Sequence, residues 1–220
     1  MTQVTFLDCM RFANWLHHVQ TDPSARGPAK SPADAARLTE TGAYSIAKGG
    51  LAARESGAQA WIPNEDEWYK AAYHHPRFSG GPPDHYWRYP TRSDVKPEIG
   101  KPGDTGPNLA VYMLHWLDAR WFTNVGSLPG SASHYGTLDQ GSNVWEWVEA
   151  TVFDTQRMLR GGSNLTAQEK MLREARSNLP PTRRFQDIGF RVARAAPPPT
   201  ISAPEAKPVP EAKPAPEAKP

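Results

Sequence analysis

Glu146 is the residue whose surroundings most demand chemistry. It stands between two tryptophans in Gly141-Ser142-Asn143-Val144-Trp145-Glu146-Trp147-Val148, after a turn-forming run that begins at Asp139. In a strand alternate side chains share a face, so Trp145 and Trp147 go one way and Val144, Glu146 and Val148 the other. A carboxylate on an apolar face must meet a cation, a metal or a set of donors, because an unpaired buried charge is strongly disfavoured. The competing reading is a partly exposed edge position. Cys9 is the only cysteine, which excludes an internal disulfide, a cysteine-based zinc site and a two-cysteine redox centre. His17-His18 and His74-His75 are adjacent pairs. Helix neighbours point about 100° apart, so both pairs read as surface histidines and not as a shared metal site.

The elements that must position these groups can be read from spacing and caps. Thr5 with Asp8 forms a capping-box pattern, and Phe6, Cys9, Met10, Ala13 and Leu16 recur at helical intervals, which predicts a helix over 6–18 with Cys9 in its packing face. Residues 20–50 read mostly as loop, with a short helix at 32–38. Asn64 followed by Glu65, Asp66 and Glu67 is a helix start, giving a helix to about His74 that buries Trp68, Ala71 and Ala72. From His75 to Asn108 proline, glycine and aromatics dominate, and so long an irregular stretch needs bound ions or aromatic anchors to hold it. Strands follow near Met158–Arg160 and over Ile188–Arg194, where Ile188, Phe190 and Val192 face one way. Short strands, two helices and abundant loop indicate an α+β domain over residues 1–194.

Composition narrows the function classes. The 220 residues suit one domain, and 25 basic against 23 acidic residues, net +2, point to neither nucleic acid nor a membrane surface as partner. No apolar run approaches a membrane span, and helix-like sequence begins almost at once, leaving no room for a signal peptide. The product as given is therefore expected to be cytoplasmic, and exported if the true N-terminus lies upstream. Over residues 195–220 the composition changes to Pro197-Pro198-Pro199 and three PEAKP units, a proline-rich tail expected to be a disordered, extended tether. The tail is itself a second candidate segment for a partner.

Six blocks in order carry a resemblance: Val4-Thr5-Phe6-Leu7-Asp8 with Phe12-Ala13-Asn14-Trp15-Leu16, then Pro63 to Ala72, Tyr135 to Gln140, Asn143 to Trp147, Leu159-Arg160-Gly161-Gly162-Ser163, and Ile188 to Ala193. Together they resemble the sulfatase-modifying-factor family, founded by the formylglycine-generating enzyme. The resemblance covers residues 4–194. It implies a loop-rich α+β relative of the C-type lectin fold, in a bacterial subgroup whose members usually carry more chain before the first helix.

The family's enzymes hold Cu(I) through two cysteines just before an Ala-Arg-Ser turn and use oxygen to convert a substrate cysteine to formylglycine. Soft sulfur suits that metal. Anchored on Ala175-Arg176-Ser177, the matching positions here are Gln168 and Arg173, and no cysteine follows Cys9, so no copper is expected. The resemblance also implies structural calcium, one site on Asp139, Ser142, Val144 and Glu146 and a second near Asn108, Leu109 and Asp118, each alternatively a set of hydrogen bonds without metal. Where the enzyme has its substrate groove this chain carries Arg173, Arg176, Arg183, Arg184, Phe185 and Gln186, within the irregular segment 164–187. A rigid scaffold presenting such a segment suits a protein or peptide ligand, against the reading of a merely solvated face. The expectation is a non-catalytic, calcium-stabilised binding domain; the alternatives are an enzyme of altered oxidoreductase chemistry, akin to sulfoxide synthesis, and a structural module working through its tail.

Overall fold

The computed structural model describes residues 1–76, 81–113 and 122–196. The expectations for Asp118 and for the tail from residue 197 lie outside the described residues. Three helices are α1 (Phe6–Thr21), α2 (Pro32–Glu40) and α3 (Glu65–Tyr73). The strands are β1 (Ala60–Trp61), β2 (Glu98–Ile99), β3 (Leu109–Ala110), β4 (Trp145–Val152), β5 (Gln156–Arg160), β6 (Ser177–Leu179), β7 (Ile188–Phe190) and β8 (Ala193–Arg194).

Local signals set the helix starts. The Asp8 N–H donates to Thr5 Oγ1 at 3.1 Å while the Asp8 carboxylate accepts from the Thr5 N–H at 2.9 Å, the reciprocal capping box. Asn64 and Glu67 repeat that arrangement at 2.8 and 2.9 Å ahead of α3. α3 buries Trp68, Ala72 and Tyr73, whereas Ala71 is only partly covered. The segment read mostly as loop holds α2, two residues longer than expected, and α1 itself runs to Thr21. A fully buried amide fixes this segment: Asn14 on α1 donates to the Thr39 and Tyr44 carbonyls at 2.7 and 3.0 Å and accepts from the Tyr44 N–H at 2.7 Å.

The main sheet has the order β6-β5-β4-β7, antiparallel except for the parallel β4–β7 pair. β4 is therefore an inner strand, and the edge reading of Glu146 gives way to a buried one, with 4% of the residue exposed. The alternation along β4 holds. Trp145 and Trp147 pack with Phe6, Cys9, Met10 and Ile188, while Val148 joins Trp68, Ala72 and Tyr73 on the other side. Trp147 meets Phe6 edge-on at 5.9 Å and donates its indole N–H to the Val4 carbonyl at 3.1 Å.

One strand reading is corrected. Ile188–Arg194 is two strands, β7 beside β4 and β8 antiparallel to β1, with Arg191 and Val192 crossing between sheets. Val192 is 38% exposed and does not continue the buried face of Ile188, because the chain changes partner before reaching it. The irregular stretch after α3 is held by backbone and aromatic anchors: the Trp87 backbone N–H donates to the Tyr73 carbonyl at 2.9 Å, the Trp87 ring meets that of His75 edge-on at 5.5 Å, and the Tyr112 hydroxyl donates to the Pro97 carbonyl at 2.7 Å. Two buried arginines on β5 do the same elsewhere. Arg157 donates to the loop carbonyls of Gly50 and Ala52 and to that of Glu149, where the β4–β5 register shifts, and Arg160 to the loop carbonyls of Arg173 and Ala175.

Candidate functional site

Three elements converge on Glu146. Inner strand β4 carries it, α3 brings Trp68 beneath it, and the crossing after β7 returns Arg191 to it. Arg191 donates Nε to Glu146 Oε2 at 2.6 Å and Nη2 to Oε1 at 2.7 Å, a bidentate pair, and the Trp68 indole N–H donates to Oε2 at 2.6 Å. Arg191 Nη2 also donates to the Leu138 carbonyl at 3.0 Å, which ties the pair to the turn before the strand. The cation that the apolar face required is thus a guanidinium 45 residues along the chain.

The neighbouring turn is held by strained backbone. Asp139, Ser142 and Asn143 have φ of 59°, 75° and 57°, in the left-handed region where a side chain costs energy. Each has its side chain engaged. Asp139 Oδ2 accepts from the Gly126 N–H at 2.7 Å, Ser142 Oγ from the Val111 N–H at 2.9 Å, and Asn143 clamps the Thr123 backbone by accepting at 3.1 Å and donating at 3.2 Å. A cavity of about 350 Å³ lies over this turn, bordered by Asp139, Val144, Glu146, Phe190 and Arg191.

These donors decide how the implied calcium sites fit. Calcium takes six to eight oxygen ligands, and both oxygens of Glu146 already accept from N–H donors, so an ion at ligand distance would sit against the Arg191 guanidinium. Arranged in this way, Glu146 is held by a guanidinium and an indole, and calcium on Asp139, Ser142, Val144 and Glu146 would have to displace Arg191 from it. At the second site Asn108 is taken up internally: its Oδ1 accepts from the Thr91 hydroxyl at 2.6 Å and its amide donates to the Val95 and Lys96 carbonyls at 3.3 Å. Among the described residues no group of three or more His, Cys, Asp or Glu is placed to hold a metal. His75, expected at the surface, is 9% exposed, its ring 4.6 Å from that of His134 and accepting from the Trp87 indole at 3.3 Å.

The structure divides the 164–187 residues into two groups. Arg173 and Arg176 act as struts: Arg173 donates to Asp84 at 2.6 Å, Glu174 at 2.8 Å and the Tyr86 carbonyl at 2.6 Å, and Arg176 to Glu65 at 2.5 Å. The hydrogen bond that it donates to Glu174, and then the one to Asp84, hold the Arg173 guanidinium above its ordinary pKa. Arg184, Phe185 and Gln186, by contrast, border a cavity of about 570 Å³ with Gln3, Leu165 and Asp187, and Arg183 is exposed beside it. Phe185 is 50% exposed. The cavity floor is fixed, since Asp187 accepts from Ser163 Oγ at 2.7 Å and its carbonyl accepts from the Trp145 N–H at 2.8 Å. Cys9 is fully buried, and burial, then the nearby Asp8 charge, push its thiol well above the usual range, so it stands away from any site.

Sequence reasoning missed Trp68 as the second donor to Glu146 and the two buried arginines of β5. Trp68 had one signal, its place in the Asn64-capped block, and Arg160 had its place in the Leu159–Ser163 block; Arg157 had none.

Three solved structures share this fold. The match to Treponema denticola variable protein 1 has a TM-score of 0.52 and 20% identity, covering 88% of this chain and 70% of that one. CarF gives 0.56 and 22%, covering 89% and 68%, and PvdO from Pseudomonas aeruginosa gives 0.51 and 19%, covering 89% and 61%. No curated protein matches the chain. Residues 1–196 match the model of the sulfatase-modifying factor enzyme 1-like domain, and the chain belongs to that family.

Proposed function

We propose that this chain is a non-catalytic member of its family, a scaffold that binds a protein or peptide ligand over Arg184, Phe185 and Gln186. The observation that carries the reading is a half-exposed phenylalanine beside arginines on a cavity whose floor is tied to the sheet. Aromatic and arginine side chains of this kind are the usual anchors of an interface. A loop-rich relative of the C-type lectin fold suits the task, because short paired strands hold the floor while long irregular segments carry the contacts. With one buried cysteine the chain lacks the thiolate pair that holds copper in its enzymatic relatives. In this reading the Arg191–Glu146 pair takes the structural place that the resemblance gave to calcium.

The test has two arms. Peptides selected from a random library on the wild-type chain should lose about 30-fold in affinity for the Arg184→Ala/Phe185→Ala variant, the loss of a hot spot of about 2 kcal/mol. Peptides that bind both proteins equally would place the ligand elsewhere. In the second arm, copper-loaded protein is incubated with a cysteine-containing peptide and oxygen, and aldehyde is trapped as a hydrazone. Copper-dependent aldehyde would establish the enzymatic alternative.

A further inference from the structure

A cavity of about 410 Å³ opens between α1, the 3-10 turn Pro23–Arg26 and α2. Trp15 and Leu38 form its walls, with Arg26, Gly27, Pro28 and Thr39 round the mouth, and it shares no residue with the Arg184 cavity. Trp15 is only partly buried, backed by Phe12 at 5.6 Å between ring centres. Arg26 is exposed, and the acids nearest it in sequence are already engaged: Asp22 and Asp34 pair with Arg37 at 3.5 and 3.0 Å. An indole wall among small residues, with a cation at the rim, is the chemistry that recognises a polyproline II segment bearing a carboxylate.

This chain carries such a segment three times, as Pro204-Glu205-Ala206-Lys207-Pro208, Pro210-Glu211-Ala212-Lys213-Pro214 and Pro216-Glu217-Ala218-Lys219-Pro220. These residues lie outside those the structure describes, and the described chain ends on the β1–β8 pair, where β1 packs against α1. The Ala195 N–H donates to the Gln59 carbonyl at 3.0 Å, and the Gln59 N–H donates to His17 Nδ1 at 3.1 Å, so the tail departs from α1 two residues along from Trp15. Two residues turn the helix by about 200°, and half the circumference of a helix about 10–12 Å across is a path of about 20 Å. Eight residues from Ala196 to Pro204, extended at about 3.1 Å each, cover about 25 Å. The intervening chain is thus of the length that such a path asks for.

We propose that the Trp15–Leu38 cavity is a polyproline-binding site, and that its occupant is the Pro204–Pro208 repeat of the same chain, with proline rings on Trp15 and Glu205 on Arg26. Tethering makes weak contacts sufficient. For an intrinsic Kd of about 0.1 mM and an effective concentration of about 1 mM, the site is about 90% filled and local exchange slows about tenfold. The later repeats remain outside the cavity and keep the tail's reach toward other partners.

The experiment is hydrogen–deuterium exchange on the full chain and on a full-length variant in which every proline of 204–220 is replaced by glycine. The native tail should slow exchange over residues 11–20 and 32–40, and the glycine tail should not. The synthetic peptide PEAKPVPEAKPAPEAKP, added to the glycine-tail variant, should restore the protection. Arg26→Glu, at an exposed position where folding is not at stake, should weaken the effect, and Glu205→Lys, Glu211→Lys and Glu217→Lys together should restore it in that background. Equal exchange in native and glycine-tail chains overturns the proposal. Protection that grows with protein concentration also overturns it, since the occupant would then be the tail of a second copy.

Discussion

Replacing Arg191 by methionine tests the charge assignment at the centre of the molecule. The side chain of Glu146 is 6% exposed and that of Arg191 22%, so the variant keeps a carboxylate inside the protein with the Trp68 N–H as its sole remaining donor. Breaking a buried pair by removing one partner costs about 3–5 kcal/mol, mostly the penalty of the charge left behind. For a chain of this size each kcal/mol moves the melting temperature by about 2–4 °C, so thermal unfolding followed by circular dichroism should show a drop of about 6–20 °C. Arg191→Lys should fall between, because an ammonium restores charge without the two parallel hydrogen bonds. The same assay weighs calcium. A site of micromolar Kd in about 1 mM calcium would add about 4.1 kcal/mol, or about 8–16 °C, whereas a carboxylate already saturated by arginine and indole gives a rise within about 1 °C. A melting temperature for Arg191→Met within about 2 °C of wild type, or a calcium-induced rise of the larger size, refutes the assignment.

Two further outcomes follow from separate parts of the fold. Gly161 has φ of 94°, and a Cβ there would lie 2.5 Å from the Gln140 carbonyl oxygen, so Gly161→Ala should lose more than about 2 kcal/mol in denaturant titration, and a loss under 0.5 kcal/mol would show that the turn yields. Stability should also fall with acid between about pH 7.5 and 5.5. Burial, then Lys70 and the imidazoles of His85, His134 and His75, hold His74 below its ordinary pKa, and burial, then His18, do the same for His17. A depressed imidazole binds fewer protons in the fold than in the unfolded chain, so the stability it gives is present above the ordinary value and is lost as pH falls through it. The denaturant midpoint of His74→Gln should therefore fall less over that range, and an equal or steeper fall counts against this account.

What could be read in the sequence was what neighbouring residues determine. Thr5 with Asp8 and Asn64 with Glu67 gave two helix starts, because a cap is a contract within four residues. The division of Trp145 and Trp147 from Glu146 and Val148 followed from the pleat alone. The partner of Glu146 did not, since Arg191 lies 45 residues away, and its place in the Ile188–Ala193 block marked it as structural without saying what it holds. The long irregular segments were equally opaque: Asn14 and Arg157 reach carbonyls of the stretch before α3 and Arg160 those of residues 173–175, and scattered anchors leave no period to detect. Ile188–Arg194 alternates as one strand would, but alternation does not say that its two ends pair with different sheets.

The positions that the resemblance matches to the family's copper cysteines have other partners in this architecture. In the matching positions the chain has Gln168, partly exposed at the start of a 3-10 turn, and Arg173, and neither touches the Glu146 node. Arg173 is a brace between the segment 164–187 and the loop at Asp84–Tyr86. β4, α3 and the crossing after β7 are held without either position, and the Arg173 guanidinium ties down one end of the segment. The other end, Arg183 to Gln186, kept its side chains outward over a floor fixed by Ser163 and Asp187. Rigidity at one end and exposed anchors at the other reduce the entropy lost on binding, which is the physical reason to look for a ligand at Phe185 and not at Arg173.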